Sequence, residues 1–200
     1  MDVFEAISTR RAVKKFDPNH NLSSDEIKNL MEHVILSPTS YNQQNWRFVY
    51  VTDQDVKDKI SVAARGQAQP KDGSVVIVLC GDLTAWKTDT LRYWKNHPKE
   101  KQDIVKAALE RKYTTDPKAI RDEAIRSCGM AAQTIMLAAR DMGLDSCPMV
   151  GFDYDKLAKI INLPETHLIV MMVVVGKKIE DAPPRGGQLP LSDVAFENSF

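Results

Sequence analysis

The chain has 200 residues with 27 basic and 27 acidic side chains, which give a formal net charge of zero at pH 7. This length predicts one domain that buries about 70% of the unfolded chain's surface, and the balanced charge disfavours a nucleic-acid-binding protein. No apolar run approaches the roughly 20 residues that span a bilayer, so no membrane contact is expected. The first residues form no basic-then-apolar leader and the three cysteines are an odd number, which together predict a cytoplasmic protein with buried, inert thiols.

The first half of the chain predicts helices that alternate with strands. Its clearest signal is the capping box of Ser23 and Glu26, which starts a helix with apolar residues at helical spacing as far as Ile35. A continuous apolar run at 74–80 is typical of a strand buried on both faces. The predicted elements are helices at 2–8, 23–35 and 53–64 and strands at 48–52 and 74–80.

A long helix dominates the second half. Asp116 is its predicted cap, Pro117 its first residue and Gly143 its stop. The stretch 128–139 is small and apolar nearly all round, so this helix is expected in the centre of a fold or of a dimer. These features indicate an α+β or α/β protein with a small sheet. The other predicted features are a weakly helical excursion at 83–115, a loop at 149–151, a helix at 154–161, a strand at 168–175 and a proline-rich tail at 176–200.

Common catalytic signatures are absent from the sequence. It has no glycine-rich dinucleotide fingerprint, no phosphate-binding P-loop and no nucleophile elbow. The four histidines never stand at metal-ligand spacing with each other or with a cysteine, so we expect no metal site. Cys147 is the one thiol beside a predicted loop, and we interpret it as structural because the sequence pattern offers no histidine to activate it.

Two polar segments each leave alternatives open. The basic run Arg10–Phe16 alternates charged and apolar residues. It fits a solvated turn, a phosphate clamp made of guanidinium and ammonium groups or, as a third choice, a nucleic-acid contact. The segment Ser37–Trp46 is dense in hydroxyl and amide groups, which either satisfy their own backbone or bind the polar edge of a planar ligand. Neither segment alone decides between its structural and its ligand-binding interpretation.

Taken with a third segment, Gly143–Asp153, these two resemble the FMN-dependent nitroreductase family. The family's Arg-Arg-Ser-Val-Arg/Lys-x-Phe/Tyr motif corresponds to Arg10–Phe16, and its Ser-Pro-Ser-x-x-Asn-x-Gln-Pro-Trp motif corresponds to Ser37–Trp46. The Gly-Leu-Asp, Pro and Gly-Phe-Asp elements correspond to residues 143–153. Order and spacing agree across nearly the whole chain, which makes three motifs in register far more specific than any one of them.

The resemblance implies a fold and an assembly. The family's fold is α+β, with three layers and a small mixed, mainly antiparallel central sheet flanked by helices. It implies one FMN-binding domain over 1–200, with a helical excursion at about 83–115 that covers the flavin. It also implies an intertwined homodimer in which a tail at about 177–200 embraces the partner.

The resemblance also implies the residues that bind FMN. Arg10 and Arg11 would hold the phosphate and ribityl chain, Lys14 would lie near N1 and O2, and Gln67 near the pyrimidine edge. Arg185 is the tail residue expected at the phosphate. The remaining predicted contacts are Ala12, Pro148, Met149, Val150 and Gly151, together with Pro38, Thr39, Ser40 and Asn42 from the other subunit.

Four positions depart from the family's pattern, one of them Val150, which stands where some members have glutamate. Ala12 replaces a serine and so lacks its hydroxyl, and Asn45 replaces the proline before the tryptophan. Gln188 stands where an arginine is common, which leaves the assignment of Arg185 open.

The function implied is hydride transfer from NADH or NADPH through flavin N5 to a small acceptor such as a nitroaromatic or quinone, with ping-pong kinetics. The flavin carries the chemistry, so no catalytic side chain is assigned. Aromatic residues of the excursion either line an acceptor pocket or pack it onto the body. The alternatives are a flavin reservoir or redox sensor without turnover, and a dehalogenase or dehydrogenase on the same fold. The aromatic residues concerned are Trp86, Tyr93, Trp94 and Tyr113.

Overall fold

A four-stranded sheet forms the middle layer of the computed structural model, which describes residues 1–88 and 90–200. The strands lie in the order β1-β2-β4-β3, and each neighbouring pair is antiparallel. The two central strands, β2 and β4, are the long apolar runs of the sequence, as expected for strands covered on both faces. The strands are β1 (Trp46–Val51), β2 (Val75–Asp82), β3 (Asp145–Met149) and β4 (His167–Gly176).

Helices surround this sheet, and most begin at an acidic or hydroxyl cap. Asp2, Asp53 and Asp153 each accept a hydrogen bond from the amide three residues on, and Ser23 with Glu26 forms the predicted capping box. The helices are α1 (Val3–Thr9), α2 (Ser24–Val34), α3 (Gln54–Ala63), α4 (Gln69–Asp72), α5 (Lys99–Thr115), α6 (Lys118–Asp141) and α7 (Tyr154–Ile160).

The core divides into two clusters on opposite faces of the sheet. On one face α2 and α6 enclose residues such as Val34 and Ile135. On the other face α3, α7 and the segment after α1 enclose Phe16 and Ile60. This three-layer α+β arrangement confirms the expected fold. One face of α6 is buried in the core, whereas Gly129, Met130 and Gln133 on the same helix are exposed, so the expectation of a helix buried nearly all round is not met in the single chain. The helix lies so close to β2 that a Cβ on Gly81 would come within 2.6 Å of the Ala124 methyl.

Three features differ from the sequence expectations. Strand β3 was not predicted, because Asp145 and Pro148 interrupt its apolar pattern. Helix α6 begins at Lys118 with Pro117 as its cap and no side-chain cap bond, so the prediction that Asp116 caps it was wrong. The mixed character of the sheet is slight, since the parallel pairing among the described residues is an isolated bridge between Ala12 and Ser146.

The first part of the tail forms a strap across the N-terminal segment. The Asp17 amide donates to the Lys177 carbonyl at 2.8 Å, and the Ile179 amide donates to the Lys15 carbonyl at 3.2 Å. Residues 177–185 therefore run antiparallel to the basic segment and reach back to the end of α1. Residues beyond 186 are exposed.

Candidate functional site

The basic segment predicted to bind phosphate lies in extended form beside β3. Helix α1 ends at Thr9 because Arg10 leaves the helical region. Ala12 then forms a bridge with Ser146, and the Val13 amide donates to the Ser146 carbonyl at 3.0 Å. Val13 is buried in the core while Ala12 and Lys14 are exposed, so the alternation of the sequence separates a core side from a solvent side.

Three arginines meet at this point. The Arg185 guanidinium donates to the carbonyls of Ser8 and Arg10, both at 3.1 Å, and Arg11 donates to the Pro183 carbonyl. The pKa of Arg10 is lowered, first by burial and then by the positive charges of Arg185 and Arg11. None of the three forms an ion pair with any described carboxylate, so the cluster carries uncompensated positive charge. An anion is the ligand that such a cluster favours.

A polar cavity of about 570 Å³ opens beside this cluster. Its charged walls include the largely buried ion pair between Arg140 and Asp145, at 3.0 Å, and the pair between Lys178 and Asp181, at 2.7 Å. The cavity is lined by Ser8, Thr9, Arg11, Val13, Arg140, Asp145, Lys178, Asp181, Ala182 and Arg185.

Lys14 lies one step further along the same segment and contacts a cysteine. Its Nζ is 3.5 Å from Sγ of Cys147, which is buried on β3. Burial raises the pKa of Cys147, although the Lys14 charge opposes this effect. The thiol therefore stays protonated at neutral pH.

Polar groups from two loops meet after β3. The Gln67 amide donates to the Gly151 carbonyl at 3.0 Å and to the Ala64 carbonyl at 3.0 Å. The backbone amides of Val150 and Gly151 donate to no acceptor within the described chain, and both residues are exposed. Free amide donors at the surface suit an acceptor-rich ring edge.

The hydroxyl- and amide-rich loop, residues 37–46, holds a strained backbone. Tyr41, Asn42 and Gln44 all have positive φ, between 47° and 53°. Asparagine tolerates this region, but tyrosine and glutamine do so only when the surroundings impose it, and such strain concentrates at functional sites. The Thr39 hydroxyl accepts a hydrogen bond from the backbone amide of Gln44 at 2.9 Å, which helps to hold the turn.

Hydrogen bonds from the excursion help to hold this loop in its conformation. The buried Gln43 amide donates to the Tyr113 hydroxyl at 2.6 Å, and the Trp94 indole donates to the Tyr41 carbonyl at 3.1 Å. From the body of the fold, the Ser37 hydroxyl donates to the hydroxyl of Thr134 on α6 at 2.9 Å. The excursion and the loop are thus one packed unit.

The structure brings the predicted residues together in two groups. The first contains Arg10, Arg11, Ala12, Lys14, Gln67, Pro148, Met149, Val150, Gly151 and Arg185, linked through β3 and the strap. The second contains Pro38, Thr39, Ser40 and Asn42. No hydrogen bond joins the two groups anywhere in residues 1–88 and 90–200.

Sequence reasoning missed several residues of this region. Gln43 and Tyr113 were not paired, and Cys147 was assigned no contact with the predicted ligand-binding lysine. Asn42 within a cluster of turn-forming residues was a usable signal for a left-handed turn. No sequence pattern indicated the Lys14–Cys147 contact, since the two residues are 133 positions apart.

Other kinds of site find no support in the described part of the chain. It contains no cluster of three or more histidine, cysteine or acidic side chains suited to a metal ion. None of its helices has the length and apolarity to cross a membrane.

Comparison with known proteins identifies the class. The model of the nitroreductase family matches residues 7–177, and the chain belongs to that family. Membership places the chain among the oxidoreductases and confirms the resemblance drawn from its three motifs.

Individual relatives cover nearly the whole chain. Protein DrgA of Synechocystis sp. is 44% identical over 196 residues, which are 96% of this chain and 93% of that protein. An oxygen-insensitive NADPH nitroreductase of Helicobacter pylori is 29% identical over 188 residues, 89% of this chain and 88% of that protein. A crystal structure from Exiguobacterium sibiricum, assigned as a nitroreductase and solved in complex with FMN, has a TM-score of 0.89 at 28% identity, with 98% of this chain and 97% of that chain covered.

Proposed function

We propose that this protein binds FMN and transfers hydride from NADH or NADPH to a small aromatic acceptor such as a nitroaromatic or quinone. The observation that carries the proposal is the uncompensated cluster of Arg10, Arg11 and Arg185, which is continuous with Lys14 and with free backbone amides. A ligand with a phosphate at one end and a heterocycle rich in hydrogen-bond acceptors at the other would match this row of donors. The relative from Exiguobacterium sibiricum, which binds FMN, supports the same reading.

The residues present fit FMN without rearrangement of the core. The arginines would hold the phosphate, and the Gln67 side chain would bind the polar edge of the ring system. The amides of Val150 and Gly151 would donate to acceptor atoms of the ring. Bound FMN would supply the capacity to accept a hydride and to donate it again.

Lys14 would tune this chemistry electrostatically. A reduced flavin tends to carry negative charge, and a fixed ammonium stabilises that charge most in a partly desolvated site. Cys147 limits the freedom of the lysine through the 3.5 Å contact between Nζ and Sγ. No side-chain acid or base is required.

We infer that the site is completed in a homodimer. Residues Pro38 to Asn42 lie in a separate group from the arginines, so their predicted flavin contacts require a second copy of the chain. Exposed apolar side chains on α1 and in the tail, such as Phe4 and Phe196, support the formation of such an interface.

Flavin titrations of the apo protein test the proposal. Charge-assisted hydrogen bonds contribute about 1.5–3 kcal/mol, so wild type should bind FMN at least about tenfold more tightly than riboflavin, which lacks the phosphate. Arg10→Ala and Arg185→Ala should lose this preference, whereas Arg111→Ala, which removes an exposed arginine of α5, should keep it. Equal affinity of wild type for FMN and riboflavin would contradict the assigned phosphate site.

A further inference from the structure

The excursion carries an excess of positive charge in an otherwise balanced protein. Residues 83–115 contain eight lysines and arginines against four acidic residues, a net charge of +4. Because the whole chain is neutral, the remainder carries −4. Such local asymmetry attracts anionic ligands to one part of a surface.

A cavity on this excursion offers walls of mixed chemistry. Its volume of about 370 Å³ falls in the range of small-molecule sites. An indole ring and a leucine supply an apolar wall, and two ammonium groups, a hydroxyl and a carboxylate supply polar ones. The cavity is lined by Trp86, Lys87, Thr90, Leu91, Lys106 and Glu110.

The two lysines of this cavity are available to an anion. Lys87 is exposed and forms no ion pair with a described residue. Lys106 is 3.9 Å from the Glu110 carboxylate, and both side chains are about half exposed, at 53% and 54%. An exposed pair at that distance is weak, so a ligand phosphate can compete with Glu110 for Lys106.

The indole of the cavity is held in place. The ring of Trp86 packs against Tyr113 with centroids 5.5 Å apart, and Tyr113 is buried and hydrogen-bonded to Gln43. A fixed aromatic ring is a stacking platform for a purine base. The same contacts join the cavity to the strained loop 37–46, so a ligand of the cavity would lie beside the predicted flavin-binding loop.

We propose that this cavity binds the adenosine 2′-phosphate end of NADPH. Trp86 stacks on the adenine, Lys87 and Lys106 pair with the 2′-phosphate, and the Glu110 carboxylate accepts a hydrogen bond from the adenine amino group or a ribose hydroxyl. NADH lacks the 2′-phosphate, so the cavity makes NADPH the preferred nucleotide. The inference rests on the proposed function, since the nicotinamide end has a role only where a flavin is reduced.

Calorimetric titration of the FMN-loaded protein with adenosine 2′,5′-bisphosphate tests the cavity without any redox step. Wild type should bind it about tenfold more tightly than adenosine 5′-monophosphate, because only the former carries the 2′-phosphate. The double variant Lys87→Ala/Lys106→Ala should lose this difference. The control Lys99→Ala/Lys118→Ala removes the same charge outside the cavity and should retain it. Equal affinities in wild type, or a difference that survives in the cavity variant, would overturn the proposal.

Steady-state kinetics separate failure of this inference from failure of the proposed function. The ratio of kcat/KM for NADPH to kcat/KM for NADH should fall about tenfold in the cavity variant, through KM for NADPH, and stay constant in the control. If neither nucleotide reduces wild-type flavin, the proposed function is wrong. If both reduce it with the same ratio in wild type and cavity variant, only the nucleotide site is wrong.

Discussion

The pairing of Gln43 with Tyr113 is the residue-scale contact on which the candidate site depends most. Gln43 is buried, and its neighbours Tyr41, Asn42 and Gln44 hold positive φ angles that tyrosine and glutamine adopt only under constraint. The excursion supplies part of that constraint through the Tyr113 hydroxyl, which accepts from the Gln43 amide at 2.6 Å. The excursion and the loop 37–46 should therefore respond together to mutation.

Tyr113→Phe should weaken FMN binding. The substitution keeps the ring contact with Trp86 but leaves the Gln43 amide buried without its acceptor, a cost of about 1–3 kcal/mol. Part of that cost would be relieved by relaxation of the loop, so we expect FMN dissociation constants to rise about fivefold. Fluorescence titration measures the effect, and Tyr93→Phe in the same excursion is the control. Unchanged FMN affinity with lowered stability would show that the loop does not depend on this bond.

Sequence reasoning at this scale identified residue types better than contacts. Arg10, Arg185 and Gln67 were predicted from motif positions, and the structure brings them to one side of the fold. The Lys14–Cys147 and Gln43–Tyr113 contacts were missed because they join side chains 133 and 70 positions apart. Contacts of that range are set by the packing of elements, for which a single sequence carries no pattern.

The contact between β2 and α6 is the centre of the molecule at the scale of elements. Gly81 permits the close approach to Ala124, and the thiols of Cys80 and Cys128 lie on the two facing elements. Burial raises the pKa of Cys80 to about 12 and that of Cys128 to about 12. Both thiols are therefore neutral at physiological pH, which agrees with the prediction of inert cysteines.

These thiols should make the fold sensitive to alkali. Their folded pKa lies above the unfolded value near 9, so their contribution to stability is complete below pH 9 and is lost as pH rises toward 12. In that window each thiol lowers the free energy of unfolding by about 1.4 kcal/mol per pH unit. Urea denaturation between pH 9 and 11 should give a slope shallower by that amount for Cys80→Ala than for wild type. Equal slopes would mean that Cys80 titrates normally in the folded state.

Helices and strands with a clear apolar pattern or cap were predicted from the sequence, and those without one were not. Strands β2 and β4 are unbroken apolar runs, and α2 begins at a capping box, so their types were correct and their bounds nearly so. Strand β3 was missed because its own sequence has no strand pattern. It is extended because it pairs with β4. Helix α6 begins at Lys118, one residue later than predicted.

At the scale of the whole molecule, the outer surface is unusually apolar in places. Phe4 on α1 is 83% exposed, and in the tail Leu191 is 76% exposed and Phe200 is fully exposed. Exposed residues of this kind mark interaction surfaces when they are grouped. The strap holds the tail to the N-terminal segment as far as Arg185, and in the proposed homodimer the exposed segment 186–200 would contact the second copy.

Removal of residues 188–200 should therefore abolish a dimer. The deletion preserves Arg185 and the strap, and it removes the exposed apolar part of the tail. Sedimentation equilibrium should give twice the 22.5 kDa chain mass for the full protein and a single chain mass for the truncated one. Circular dichroism of the truncated chain serves as the control for folding. A full-length protein that sediments as a monomer would contradict the two-subunit site.

In the proposed reaction, bound FMN exchanges hydride with a reduced nicotinamide and then with an acceptor. The most direct measurement is the visible spectrum of the FMN-loaded protein, mixed without oxygen with one equivalent of NADPH or, separately, of NADH. We expect rapid bleaching of the flavin bands and their recovery when menadione or a nitroaromatic is added. A flavin that stays oxidised with both nucleotides would contradict the proposed function and would favour a flavin reservoir.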